Sequence, residues 1–571
     1  MQASNPRPLL IHGGPIHAQD GTGLRHAALV VRDGRIAGVG SMDDMSALAG
    51  ADAQSLDLAG ATVMPGLVDT HPHLLHFAAR RAQLVDLSDA ASHGDIVARI
   101  AARAKETPKG QWIVTTPVGE PFYFIRRSWR DLPEGRLPDR RELDQATPDH
   151  PVFISAYGPV TPNLCVFNSA GLAAVGITSL IPDRVCDVWI DKDDRGRPTG
   201  ILRGSVNNYY SFDPFWTQIL ARLPGMAGVD VAATTRQAMA DYNALGVTSI
   251  YEGHNMTSGH VGVYQDLHAR AELTVRVMAA METQINSFAP FEWMDLDEYV
   301  SSLALARSLC RPGDDWLRIE GATLAAGGPA WPGLLRMHEP YNDPYGRPTT
   351  GITFAGPEIH DAFVTFCAEH GLRANFCNAG DRDHDDVLAA LSRTGVDARD
   401  RHWLIQHAIV IRQSQVDRLA EQGFDFTTSM SFLWGKGDMY GERLGKQIWR
   451  DMVPLNRLVK SGRRVGCGSD WGPKNLFEHI LLAETQEFAG SGHRIDDEDH
   501  AVNRATSIAL WTDRAAEVLG WPELGNLRPG HHADLVVLDR DPFSCSQDDL
   551  PGTAVQKTML AGNWVYEGPS Q

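Results

Sequence analysis

The chain has 571 residues, 43% of them hydrophobic and 22% charged, and carries a formal net charge of −19. This is the composition of a soluble globular protein, long enough for a large barrel with an accessory domain. The acidic balance argues against nucleic acid or an anionic membrane as a partner.

Met1–Gly13 has neither the basic start nor the apolar run of a signal peptide, and no stretch of about 18 apolar residues reads as a membrane span. The seven cysteines are dispersed and include no CxxC pair. An odd, scattered set is not a disulfide framework, so the expected location is the cytoplasm. Residues 8–60 read as short strands broken by turns: Pro8–His12, Ala27–Arg32, the turn Asp33-Gly34, then Arg35–Val39. Asp-Gly between two apolar runs is a hairpin signal. The far end repeats the pattern with Ala533–Asp539 and Asn563–Tyr566. The two ends, 1–60 and 515–571, are therefore expected to build one composite β-sandwich domain.

Ala61–Thr70 reads as a buried strand running into His71-Pro72-His73. Residues two apart on a strand point the same way, so the two imidazoles can grip one metal ion; neutral imidazole suits zinc and other first-row divalent ions. The plain alternative is two histidines at a strand end with no ligand. Seven further candidate strands follow: Gly246–Glu252, Leu273–Met281, Trp316–Ala322, Leu372–Asn378, His402–Ala408, Phe424–Met430 and Arg463–Asp470. Helical patterns lie between the later ones, as at Pro357–His370 and Asp383–Arg393.

Eight such units predict a (β/α)8 TIM barrel over 61–514, whose active site lies at the C-terminal ends of its strands. Polar residues gather there: His71 and His73, Glu252 and His254, Glu320, Cys377 and Asn378, His407, and Asp470. Residues 78–240 form a large insertion after the first strand, with aromatics at Pro121–Phe124, Trp129, Tyr209, Tyr210, Phe215 and Trp216. A piece this long has its own structure, and its expected place is over the barrel mouth.

Met64-Pro-Gly-Leu-Val-Asp-Thr-His-Pro-His73, Gly246-Val-Thr-Ser249, Gln406-His-Ala408, Gly468-Ser-Asp470 and Leu527-Arg-Pro-Gly530 with Ala533–Leu538 resemble the amidohydrolase superfamily. The closer likeness is to its large-insert branch, which includes N-substituted formamide deformylases. The resemblance implies that His71 and His73 ligate a metal, and that Asp470 ligates it and takes the proton of the attacking water. It implies that His407 is a further ligand or polarises the substrate carbonyl. It also implies a divalent cofactor, zinc before manganese or iron, as one ion or two.

The chain departs from that branch in three places. Cys377 stands where the fifth strand usually ends in histidine; a cysteine can ligate zinc or pack as a small hydrophobe. Arg318 cannot form the lysine carbamate of other members, because it stays protonated. Glu320 is then the candidate bridge, with Glu252 its rival; either could instead orient a histidine. In the insert, Asn163 replaces the usual histidine and Arg203-Gly204 the usual glutamate. His254, Glu252, Asn378, Trp434 and Asn163 complete the candidate substrate contacts.

The resulting expectation is a metal-dependent hydrolase cleaving an amide or related C–N bond of a small molecule, aryl-bearing by the aromatics of the insert, with Asp470 as general base. The alternatives are deamination, metal-assisted decarboxylation or C–C cleavage on the same scaffold, or a binding protein that has lost catalysis. A homodimer is the default assembly.

Overall fold

The protein was analysed as a computed structural model that describes residues 7–569, apart from 121–124, 157–158, 208, 225–229 and 288–292, and apart from the side chains of 79–83. The aromatics predicted at Pro121–Phe124 lie outside the described residues.

Eight parallel strands form the central sheet in chain order: β1 Leu67–Asp69, β2 Val247–Glu252, β3 Arg276–Glu282, β4 Leu317–Leu324, β5 Ala374–Asn378, β6 Leu404–His407, β7 Asp425–Thr428 and β8 Val465–Cys467. Each lies within or overlaps one of the eight predicted segments. Every residue of β2 and of β3 is buried, the signature of strands covered on both faces. The ends of the sheet meet where the Thr70 N–H donates to the Cys467 carbonyl at 3.2 Å. The sheet is a closed barrel.

The predicted strand Ala61–Thr70 proves to be two strands in two sheets. Thr62–Pro65 pairs antiparallel with Leu535–Leu538 in the terminal sheet, while Leu67–Asp69 is β1 of the barrel. Pro65 has no N–H for a ladder, and a Cβ on Gly66 would lie 2.2 Å from Thr248 Oγ1. The chain changes sheets at a residue that only glycine can be.

Both termini enter one eight-stranded sheet, ordered Asn563–Glu567, Val555–Leu560, Leu535–Leu538, Thr62–Pro65, Leu9–His17, Arg25–Arg32, Arg35–Gly40, with Gln54–Asp57 also paired to Leu9–His17. A Cβ on Gly562 would stand 3.0 Å from Gly34 Cα, so the sheet curls until its distant parts touch. Ile11, Leu29, Leu535 and Val537 pack in its core. The helix Asp513–Leu519, placed largely with this domain by sequence, belongs with the barrel instead: Ala515, Val518 and Trp521 share a core with Val68, Tyr251, Met278 and Leu404.

The insertion carries a six-stranded sheet, ordered Arg184–Val185, Val188–Lys192, Pro198–Gly204, Asn163–Phe167, Val152–Ile154, Ile113–Thr115, with apolar cores of its own. It returns to the barrel through the helix Val231–Ala244, which leads into β2.

Strand alternation settles the position of Glu252. Tyr251 points into the barrel core, so Glu252 faces outward, where its Oε1 accepts from the Leu75 N–H at 3.1 Å and the Tyr264 hydroxyl at 3.0 Å. Burial pushes its carboxyl from 4.5 up to about 7, against the pull of those two donors. The folded chain thus holds this proton more tightly than the unfolded chain. The resulting stability is complete below about pH 4.5 and is lost as pH rises through about 7. Glu252→Gln should flatten this dependence. In urea melts, wild type is expected to lose on the order of 3 kcal/mol relative to the variant between pH 5 and 8; parallel profiles would contradict the assignment.

Candidate metal centre

His71 and His73 do not stand on β1 itself. The strand ends at Asp69 and Pro72 cannot extend a ladder, so both histidines lie in the turn that follows, with ring centroids 4.6 Å apart. Three bonds fix this turn, two of them to residues at the end of β8. Asp69 Oδ1 accepts from the N–H groups of His71 and Ser469, each at 3.0 Å, and the Asp470 N–H donates to the His71 carbonyl at 2.8 Å. A Cβ on Gly468 would come within 2.4 Å of His71 Cβ, so glycine permits this approach.

His73, His407 and Asp470 all hold left-handed backbone, with φ of 51°, 76° and 50°. Such conformations cost on the order of 1–3 kcal/mol each and cluster at functional sites. Here they aim three side chains at one point. His407 Nε2 is 3.2 Å from His71 Nε2, and Asp470 Oδ2 is 3.5 Å from His71 Nε2 and 3.6 Å from His407 Nε2. The donor atoms of these three residues all lie within 4.8 Å of one another. His73 Nε2 stands 4.0 Å from Asp470 Oδ1. Neither nitrogen of this buried imidazole makes a hydrogen bond among the described residues.

Burial, then the neighbouring imidazoles, keeps His71, His73 and His407 well below the usual histidine range. Neutral rings offer lone pairs, the form that binds a metal. Burial raises the Asp470 carboxyl, while Lys436 and the Trp471 N–H pull the other way. Three neutral imidazoles and one carboxylate fit a first-row divalent ion, and His73 Nε2, the unbonded nitrogen beside Asp470, is the one such an ion would satisfy.

Cys377 and His254 flank this group. The Cys377 thiol donates to Gln406 Oε1 at 3.0 Å and shares a hydrogen bond with His254. Burial pushes the thiol up, against the pull of the neighbouring His254. His254 Nδ1 meets Glu282 Oε2 at 2.6 Å, and the same oxygen accepts from the Asn255 N–H at 2.6 Å. Burial alone would lower His254, but Cys377 and Glu282 bring it well above the ordinary value.

The structure does not bring the other candidates to this point. Glu320 lies mid-strand, because β4 runs on to Leu324, and it is half-buried. Glu252 faces the outer layer, as described above. Asn378 alternates with Cys377 and points away from the mouth; its Nδ2 donates to the Asp383 carbonyl at 3.2 Å and fixes the turn into the helix Asp381–Thr394. Trp434 carries the Arg126 guanidinium 5.0 Å from its ring centroid, and the wall on its helix is made by Phe432 and Lys436 instead. Asn163 donates to Asn207 Oδ1 at 2.9 Å and borders a separate cavity of the insert with Trp129 and Trp189.

The cavity over His73, His407 and Asp470 is narrow, about 40 Å3 in volume. Tyr209, Tyr210 and Pro159 of the insert close it, with Trp331, Phe432, Trp471 and Lys436. Lys436, Glu282 and Trp471 went unassigned from sequence. Only the lysine carried a signal there, as a lone cation in the apolar stretch Phe432–Tyr440.

A model of the amidohydrolase family matches residues 54–566. An N-substituted formamide deformylase from Arthrobacter pascens is 26% identical over 578 residues, spanning 98% of this chain and 98% of its own. Solved structures of uncharacterized metal-dependent hydrolases from Pyrococcus furiosus and Pyrococcus horikoshii superpose with TM-scores of 0.69 each at 21% identity, covering 94% and 95% of this chain and 100% and 99% of theirs. These likenesses give the same barrel fold, and no helix among the described residues is long and apolar enough to cross a membrane. With the family model spanning nearly the whole length and the His–His–His–Asp group at the barrel mouth, the chain belongs to the amidohydrolase family.

Proposed function

We propose that this site hydrolyses the amide bond of a small substrate, with a compact acyl group and an apolar or aryl-bearing nitrogen side, using zinc and Asp470 as general base. The observation that carries the reading is the convergence of His71, His407 and Asp470 at the strand ends, with His73 Nε2 4.0 Å from Asp470 and its nitrogens without a hydrogen bond among the described residues. His71, His73, His407 and Asp470 would hold the ion. When bound, it supplies Lewis-acid polarisation and lowers the pKa of water from about 16 towards 7.

The protein's own groups do the rest. Asp470, its carboxyl raised by burial, accepts a proton from the attacking water and delivers it to the departing nitrogen. The products are a carboxylic acid and an amine. His254, held by Glu282, presents a hydrogen-bonding edge to the cavity for the substrate. Tyr209, Trp331, Phe432 and Trp471 exclude water and offer apolar faces to the nitrogen side. The narrowness of the cavity favours a small acyl group, and the deformylase relative acts on formamides by name.

Chelation of the purified protein should abolish hydrolysis of N-aryl and N-benzyl formamides, and added zinc should restore it. Amine and formate are the expected products; ammonia or carbon dioxide would move the assignment to deamination or decarboxylation. Asp470→Asn should cut turnover by at least ~100-fold, the usual worth of a general base, while retaining a larger share of its metal. Wild-type turnover by that variant under metal-replete conditions would refute Asp470 as the base.

A further inference from the structure

The backbone turns that carry His71, His73 and Asp470 share one ammonium, that of Lys474. Lys474 Nζ donates to the Pro72 carbonyl at 2.9 Å, to Ser469 Oγ at 3.0 Å and to the Asp470 carbonyl. Pro72 is the residue between His71 and His73, and its carbonyl also accepts from the Tyr242 hydroxyl at 3.4 Å. The ammonium therefore reaches the middle of the first-strand turn and the ligand residue of the eighth-strand turn at once. Its stem is held at both ends: the ammonium stands 4.3 Å from the Phe77 ring centroid, and the next residue, Asn475, caps the helix Leu476–Thr485.

The geometry assigns Lys474 as a positioning residue that keeps the first-strand and eighth-strand ligand turns in register for metal binding; this rests on the metal-centre reading above. Three observations converge on it. The carbonyls it binds adjoin or belong to the left-handed residues His73 and Asp470, whose conformations need an external partner to persist. Two carbonyl dipoles pointing at one spot repel each other unless a cation lies between them, and a buried carbonyl that loses a donor is destabilised. Asp69 completes the arrangement from the other side, accepting the His71 and Ser469 N–H groups. Each turn is thus held by its donors on a carboxylate and by its acceptors on an ammonium. A Lys474→Met chain fills the same space but offers no donor, leaving the turns free to relax away from the geometry that joins His71, His73 and Asp470.

The test is zinc affinity by competition with a chromophoric chelator, on metal-stripped wild type, Lys474→Met and Lys474→Arg, with thermal melts of the metal-free proteins alongside. Loss of groups that orient metal ligands weakens binding by about 10–100-fold. Lys474→Met should weaken zinc binding by that factor, with Lys474→Arg, which keeps charge and donors, recovering part of it. Wild-type affinity in Lys474→Met would overturn the assignment, as would a lowered metal-free melting temperature with unchanged affinity, since that is the pattern of a purely structural lysine. If Lys474→Met is not recovered folded, Lys474→Gln is judged by the same affinity criterion. Wild type that binds no divalent ion is a different outcome, overturning the metal-centre reading itself.

Discussion

The structure depends on how closely the first and last barrel strands approach. Gly468 against His71, the Asp470 N–H on the His71 carbonyl, and the Thr70 N–H on the Cys467 carbonyl together close the barrel and set the distance between the ligands it carries. Closure and site assembly are one event, because the bonds that join the strands involve the ligand residues. A barrel open by one side chain at this point would still have eight strands, but no group of donors within reach of one ion.

Around that seam the protein arranges opposing electrostatic environments. Burial and mutual repulsion keep three imidazoles well below the usual histidine range, in the neutral form that can offer lone pairs to a metal ion. A few ångströms away, Glu282 and Cys377 draw His254 towards its charged form. Lys436 and Lys474 approach Asp470 from two sides and favour its anion against the cost of burial. The strained backbone at His73, His407 and Asp470 fits the same arrangement: it persists only because the surrounding bonds determine it completely.

The barrel was legible in the sequence because each strand is a local apolar run bounded by turns, and the resemblance pointed residue by residue to His71, His73, His407 and Asp470, which the fold places at the strand ends. What escaped was decided at longer range. Glu320 reads as a strand end, yet Gly321, at φ 84°, passes so close to Arg373 that a Cβ would meet its carbonyl at 2.0 Å, and the strand continues past it. Trp434 was chosen over its neighbours without knowledge of helical phase; Phe432 and Lys436, four apart, share the cavity face. Glu252 faces outward by simple alternation, which becomes decisive only once Tyr251 is known to point inward. Lys474 carries no local signal, since the partner that links it to the first-strand turn, Pro72, lies 402 residues earlier in the chain.

The shared strand at Gly66 also bears on the order in which the protein can mature during synthesis. Thr62–Pro65 has its partner in Leu535–Leu538, near the end of the chain, and the neighbouring Arg276 is buried against Asp534. A ribosome delivers Thr62–Pro65, just before β1, long before its neighbour Leu535–Leu538 has emerged. The nascent chain therefore carries unfinished β edges for most of its synthesis, a state prone to mispairing. The barrel's own sheet is completed by β8, so a metal ion held by the group around His71 and Asp470 would be acquired by a closed barrel and not by loose histidines on a growing chain.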